Sequence, residues 1–334
     1  MKQKLISLAA GLLLLGAIGV HADEPMKIRV GWVNVPNELT PILFAKPGIA
    51  KHQGVSYVFE PMHYDGTPLM TTALAAGELD IASFAFSSFG LAVLNAGMDD
   101  LRIIADGIED GVPGYYSGDF LVRKDSSIRT IEDLKGKVLA PSVFGAVNDL
   151  TIRAMLRQHH LDDKKDVTMV EVKLPNMKAM LADRKVDLIS SVPPFVYDPE
   201  LQEMSRRLFT VHDTLGKTQM TVWTAREDFL KKNRVALVDF LEDEIRALHW
   251  YLDPKNHDEM VRIVADFTKL PPARLVDWVL TKRDYYHDPD GVPDLQALQR
   301  NLDTETKLGL LKAAVDVQKH ADLSLVKEAG KRLK

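Results

Sequence analysis

Six short polar residues stand where the carboxyl end of an expected strand hands over to the start of an expected helix: Asn34 and Asn37, Ser87 and Ser88, Ser142 and Asn148. A helix start presents backbone N–H groups that lack intrahelical partners, together with a partial positive charge. Several such starts converging on one crevice hold a polar or anionic guest by hydrogen bonds alone, and no Lys or Arg stands inside these loops to act as a fixed cation. Singly, each residue is equally an ordinary helix cap worth about 1 kcal/mol. Their coincidence at strand ends is what points to binding, because ligands of open α/β sheets lodge there. Aromatic residues stand beside the same loops: Phe86 next to the serine pair, Tyr115 and Tyr116 in a Gly/Pro-rich stretch, and Phe144 and Phe195 in the second half. They offer flat apolar surface to a carbon skeleton. Asp65, in the loop Tyr64-Asp65-Gly66-Thr67, completes the candidate ligand set.

Catalytic patterns are poorly represented. Gly216-Lys217-Thr218 copies the end of a phosphate loop, but Val211 occupies the place of its first glycine. Ser324 and Lys327 have serine-lysine spacing without the partner motifs of such acylases. His159-His160 reads as a solvated helix end, where positive charge suits the dipole. No nucleophile elbow, zinc-helix histidine pair or glycine-rich dinucleotide turn occurs, so neither a cofactor nor a metal is expected.

The elements that must position these residues alternate. Strand-like runs at Lys27–Val33, Val55–Met62 and Ile81–Phe86 are separated by a helix start at Leu39–Phe44 and a helix over Pro68–Ala76. The layout returns with strands at Lys137–Ala140, Val167–Val172 and Val186–Ser190 and helices over Asp149–His159 and Asn176–Ala182. Such alternation builds a mostly parallel sheet with helices on both faces. The segment from Met70 to Ile81 aligns without gaps on Met177 to Leu188, each a helix, a tight turn with an acidic residue, and an apolar strand. Two runs, Gly118–Arg123 and Met220–Thr224, are the expected crossings between the halves; Phe120 and Trp223 within them are assigned to packing. From Asp228 onward the pattern is helical.

Composition narrows the class. Met1, Lys2 and Lys4 precede an apolar run, Leu5 to Val20, and the small-residue exit Val20-His21-Ala22, the order of a cleavable secretory signal over residues 1–22. Without Lys2 and Lys4, Lys+Arg falls from 42 to 40 against 47 Asp+Glu, a formal charge of −7 that disfavours nucleic acid as a partner. There is no cysteine, which removes disulfides, thiolate metal sites and a thioether-linked lipid anchor. The remainder, about 310 residues, exceeds what one core usually organises, so two lobes are expected.

With these features the chain resembles the nitrate/sulfonate/taurine family of ABC-transporter substrate-binding proteins, which includes the NMT1/THI5-like members. The resemblance rests on Ile28-Arg-Val-Gly-Trp32, on Ala73-Leu-Ala-Ala-Gly77-Glu-Leu-Asp80-Ile81 with the serines after it, on Thr130-Ile-Glu-Asp-Leu-Lys-Gly136-Lys-Val138, and on the Leu181–Asp187 unit. It implies an α/β type II periplasmic-binding-protein fold: two α/β lobes joined by two crossing strands, with the ligand in the interlobe cleft. The expected division is lobe one over residues 23–118 and 221–334, with the C-terminal helices, and lobe two over 119–220. Carried over by position, Asn34, Ser87 and Ser88 become lobe-one contacts, and Ser142, Phe144 and Asn148 become lobe-two contacts. The chain departs from many relatives by reading Pro193-Pro194 where Glu-Pro is common. The implied role is that of a periplasmic, monomeric, non-enzymatic capturer of a small organic anion, a sulfonate or carboxylate with aromatic character favoured, which serves an ABC permease and ATPase in the inner membrane. Two other readings are a periplasmic hydrolase using Asp65, Asp119 and a histidine, and a ligand-sensing partner of a membrane receptor.

Overall fold

The computed structural model describes residues 24–33, 38 and 44–334. The signal segment at 1–22, Asn34, Asn37 and most of the helix start at 39–44 lie outside the described residues. Two five-stranded mixed sheets organise the rest. The first contains β1 (Met26–Trp32), β2 (Tyr57–His63), β3 (Ile81–Ala85), β4 (Leu101–Asp110) and, from much later in the chain, β10 (Thr218–Arg226), in the order β2-β1-β3-β10-β4. The second contains β5 (Asp119–Arg123), β6 (Val138–Ala140), β7 (Thr168–Met169), β8 (Leu188–Ser191) and β9 (Ser205–Thr210), in the order β7-β6-β8-β5-β9. The two orders are the same once the strands are matched by position, and each sheet takes its antiparallel member from the chain just after it has crossed over: β5 lies between β8 and β9, and β10 between β3 and β4.

The duplicated segment explains this symmetry. Helix α1 (Thr67–Ala75) leads into β3, and its counterpart Met177–Ala182 leads into β8; both strands are third in their sheets. Val30 pairs with Ile81 in one sheet and Leu139 with Leu188 in the other, so the two halves share a register. All five residues of β3 and all four of β8 are buried, Ser83, Ser190 and Ser191 among them, as strands in the middle of a sheet with two covered faces must be.

The runs expected to be the crossings are interior strands. Phe120 in β5 and Trp223 in β10 are both buried, and the chain passes between sheets in the segments just before them, 111–118 and 211–217. Apolar runs of this kind cannot remain in an open connection, because that would leave their side chains in water. The β7 strand is shorter than its expected run, because only Thr168 and Met169 pair with β6.

Helices cover both faces. On one side of the first sheet, Ile28, Val30 and Trp223 pack with Phe240, Leu241 and Ile245 of the long helix Arg234–Leu252 and with Leu325 of the last helix, Ser324–Arg332. The opposite side packs against α1 and α2 (Phe86–Asn95), and this core continues through the second lobe to Phe120 and to Ile152 in α3 (Val147–Gln158). Among the described residues no helix is long and apolar enough to cross a membrane.

Candidate functional site

A cavity of about 110 Å³ lies between the sheets, at the ends where both sets of parallel strands stop. This is room for several waters or for one small organic solute. Lobe one contributes Val33 beyond β1, Ala85 at the end of β3, Ile108 near the end of β4, and Met220 and Thr221 at the start of β10. Lobe two supplies the equivalent set: Ser142 beyond β6, Ser190 to Val192 at the end of β8, Val211 beyond β9, and Gly118 and Asp119 at the start of β5. The first turn of α3, at Val147 and Asn148, also faces the space.

The shared register places two polar pairs opposite one another. Counting on from the paired residues, Ser83 occupies the position of Ser190, and Val33 that of Ser142. In lobe one the Glu38 carboxylate accepts a hydrogen bond from the Ser83 hydroxyl at 2.7 Å and another from the Val33 amide. In lobe two the Asn148 amide nitrogen donates to the Ser190 hydroxyl at 3.0 Å and to the Ser142 hydroxyl at 2.7 Å. Glu38 and Asn148 thus bind the same two strand-end positions, one with a carboxylate and the other with a carboxamide.

Three hydroxyls on the cavity wall, Ser191 Oγ, Thr221 Oγ1 and Tyr285 Oη, are buried and have no hydrogen-bond partner. Leaving such a group unpaired costs about 1–3 kcal/mol; these three oxygens lie within the wall, that of Thr221 packed against Gly107. Asp119 is also buried there, its carboxylate accepting from the Tyr116 hydroxyl at 3.3 Å and from Arg207. Burial holds the Asp119 carboxyl above its usual pKa, with Arg207 opposing. Under the first crossing, burial pushes Asp110 up to about 7, although the Ser117 hydroxyl and the Gly118 amide bond to it.

The lobes also meet at the rim. The Ser87 hydroxyl donates to the Gly145 carbonyl at 3.0 Å across the cleft, and Lys173 Nζ lies 2.8 Å from Asp65. Gly66 sits so close to Val143 that a Cβ there would come within 2.8 Å of its side chain. A smaller cavity of about 30 Å³ lies behind Glu38 and Ser83, bordered by Asp106 and His287. Burial raises Asp106 to about 8 and lowers His287 to about 4, so both are neutral there near pH 7.

Of the residues singled out from the sequence, Asp65, Ser142 and Asn148 line the larger cavity. The others are placed differently. Phe86, Ser87 and Ser88 are buried in the first turn of α2; Ser87 serves the interlobe contact, and Ser88 is tied to the Thr67 hydroxyl at 2.7 Å. Tyr115 packs edge-on against Tyr286. Tyr116 lies one layer below the wall, donating to the Ser191 carbonyl at 3.1 Å. Phe144 is 44% exposed beside Arg153, and Phe195 is half-buried in a short turn away from the cavity. The expected aromatic platform is therefore absent from the described wall, where Tyr285 is the one aromatic residue. Glu38, Asp119, Ser190, Ser191, Thr221 and Tyr285 were not anticipated as ligand contacts. The gapless repeat, continued by two residues beyond Ile81 and Leu188, brings Ser83 onto Ser190 and was the available signal for that pair.

Two α/β lobes with exchanged antiparallel strands and a cavity at the strand ends define a periplasmic-binding-protein fold. The chain belongs to the NMT1-like family, whose pattern matches residues 21–265. Solved structures agree on the fold. The alkanesulfonate-binding protein SsuA from Xanthomonas axonopodis pv. citri, bound to MOPS, is 21% identical with a TM-score of 0.70, over 90% of this chain and 100% of that one. The nitrate-binding protein NrtA from Synechocystis PCC 6803 is 16% identical with a TM-score of 0.72, over 93% and 90%. The desulfurization enzyme DSZB is 14% identical with a TM-score of 0.64, over 92% and 100%.

Proposed function

We propose that this protein is the periplasmic solute-binding component of an ABC importer, exported through a signal segment at 1–22, which captures one small solute by closing its lobes and presents it to a permease and ATPase. The reading is carried by a cavity between the two sheets to which both lobes contribute equivalent strand-end positions. A guest satisfying groups from both sides stabilises the closed arrangement over the open one and needs no chemical step. The proposed lobes follow residues 23–118 with 221–334 and residues 119–220, with the return moved to Thr218, where β10 begins.

The hydrolase reading finds two of its groups on the wall, Asp65 and Asp119, but no histidine lines the cavity among the described residues. Asp119 is engaged by Arg207, and Asp65 by Lys173. The wall hydroxyls of Ser191, Thr221 and Tyr285 have no hydrogen-bonded base to activate attack. Among the described residues no Lys or Arg lines the wall to pair with the organic anion expected from the sequence.

Thermal unfolding with a panel of sulfonates, carboxylates, amines, amidines and neutral solutes tests the proposal. A cognate solute at about 100 times its Kd adds about 2.7 kcal/mol and moves the midpoint by several degrees. Small-angle scattering is expected to show a more compact particle with that solute, which is recovered unchanged. Consumption of the solute by catalytic amounts of protein would instead establish an enzyme.

A further inference from the structure

Away from the cavity, one buried carboxyl has no hydrogen-bond partner at all. Glu305 lies near the end of the helix Leu295–Lys307, is 1% exposed, and has both carboxyl oxygens unpaired. An ionised carboxylate does not persist in such a place, because it would lose its hydration without gaining a donor or a counter-charge. Burial pushes the Glu305 carboxyl well above its ordinary pKa, and the charge of Asp149 pushes it the same way.

These two carboxyls belong to different lobes: Glu305 to the C-terminal part of lobe one, and Asp149 to the first turn of α3 in lobe two. The contact between those parts is direct. Arg157 of α3 donates to the Leu308 carbonyl at 2.5 Å, three residues beyond Glu305, and Leu302 and Leu311 share an apolar cluster with Ile152 and Met155 of α3. Among the described residues Asp149 is the one charge that acts on Glu305. Arg153 and Arg157 are engaged by Asp149, Asp163 and the Leu308 carbonyl. Helix α2, whose Gly90 packs against Leu302 and Leu311, carries no titratable side chain, and Asp303, Lys307 and Lys312 are exposed to solvent. The closed arrangement therefore sets a carboxyl of one lobe against a carboxylate of the other with no donor between them. Separation of the lobes opens this contact to water, where Glu305 ionises.

We propose that lobe closure takes up one proton on Glu305, so that lower pH favours the closed form and higher pH the open one. The proposal rests on the lobe motion of the solute-binding reading and adds a proton that regulates it. Above its ordinary pKa Glu305 is ionised in the open form and neutral in the closed form. Until the pH reaches the raised value of the closed form, each further pH unit lowers the closed-to-open ratio about tenfold.

Pulsed electron-spin resonance on the protein without added solute tests the coupling. The sequence has no cysteine, so nitroxides attach only at Ala75→Cys and Ala182→Cys, exposed equivalent positions at the ends of the two repeated helices, one in each lobe. Two spin–spin distances are expected, with the closed-to-open ratio falling about tenfold per unit between pH 5 and pH 7. Glu305→Gln and Glu305→Met cannot ionise and are expected to hold a constant ratio over that range. Met places no polar atom in the interior, so it decides the matter if the buried amide prevents folding. A parent ratio that ignores pH, or a fall that persists undiminished in a folded variant, would overturn the coupling and leave the lobe motion standing. A single distance at every pH overturns the coupling and counts against the lobe motion as well.

Discussion

Glu38 with Ser83 and Asn148 with Ser190 are the same device built twice. Each joins the loop just beyond the second strand of its sheet's order to the third strand, and Glu38 and Asn148 face the cavity from their own lobes. They differ in charge. The lobe-one version presents a carboxylate held by a hydroxyl and a backbone amide, whereas the lobe-two version presents a neutral amide whose donors are used internally. A duplicated scaffold therefore does not carry duplicated chemistry: the strand ends supply equivalent positions, and one side chain per lobe decides what they recognise.

The largest expected effect comes from the support of the lobe-two device. Asp149 is buried, bonds to Arg153 at 2.9 Å and to the Gly145 amide, and sets the start of α3 beneath Asn148. Asp149→Ala removes the acceptor of the Gly145 amide and one of the two carboxylates of Arg153, which keeps Asp163, and is expected to cost about 3 kcal/mol or more in denaturant unfolding. A loss under 1 kcal/mol would show that Asn148 is positioned without it.

Next comes a direct comparison of the two pairs. Ser83→Ala removes a hydrogen bond to a carboxylate, worth about 1.5–3 kcal/mol, whereas Ser190→Ala removes one to an amide, worth about 1 kcal/mol. Equal losses measured by urea unfolding would mean that the difference in charge has no energetic consequence. Both variants are expected to weaken solute binding.

Ser88→Ala separates helix start from ligand site. Its hydroxyl pairs with Thr67 in the interior, so the expected loss is about 1 kcal/mol of stability with solute affinity unchanged. An affinity drop would return Ser88 to the binding set.

The smallest effect is expected from Asp65→Asn at the rim. Asp65 and Lys173 are 51% and 65% exposed, and salt screens such pairs. The expected outcome is an unchanged midpoint, with only the low-salt affinity altered. The Lys173 hydrogen bond holds the Asp65 carboxyl below its usual pKa, so this small contribution is present near neutral pH and is lost as the pH falls through that depressed value.

Much of the architecture was legible because it depends on local pattern. Strand and helix alternation, the repeat Met70–Ile81 on Met177–Leu188, and two lobes instead of one all follow from periodicity and length. The lobe-two contacts Ser142 and Asn148 were legible too, since they fall between a strand and a helix start that remains at the cavity. Ser87 and Ser88 carried the same local marks and were buried by packing, because α2 starts directly on β3 and turns its first residues inward.

The sequence by itself determined most of the strand segments, the apolar faces they bury and where helices begin, because each is decided among residues close in the chain, whereas β4 and β9 carried no local mark that set them apart. Only the tertiary structure decided that β5 and β10 enter the lobe newly reached, that Glu38 joins Ser83 across 45 residues and that Thr221 and Tyr285 border one space. Those relations depend on packing between distant segments, where the alternatives differ by the burial of whole faces and leave no trace in the spacing of neighbouring residues.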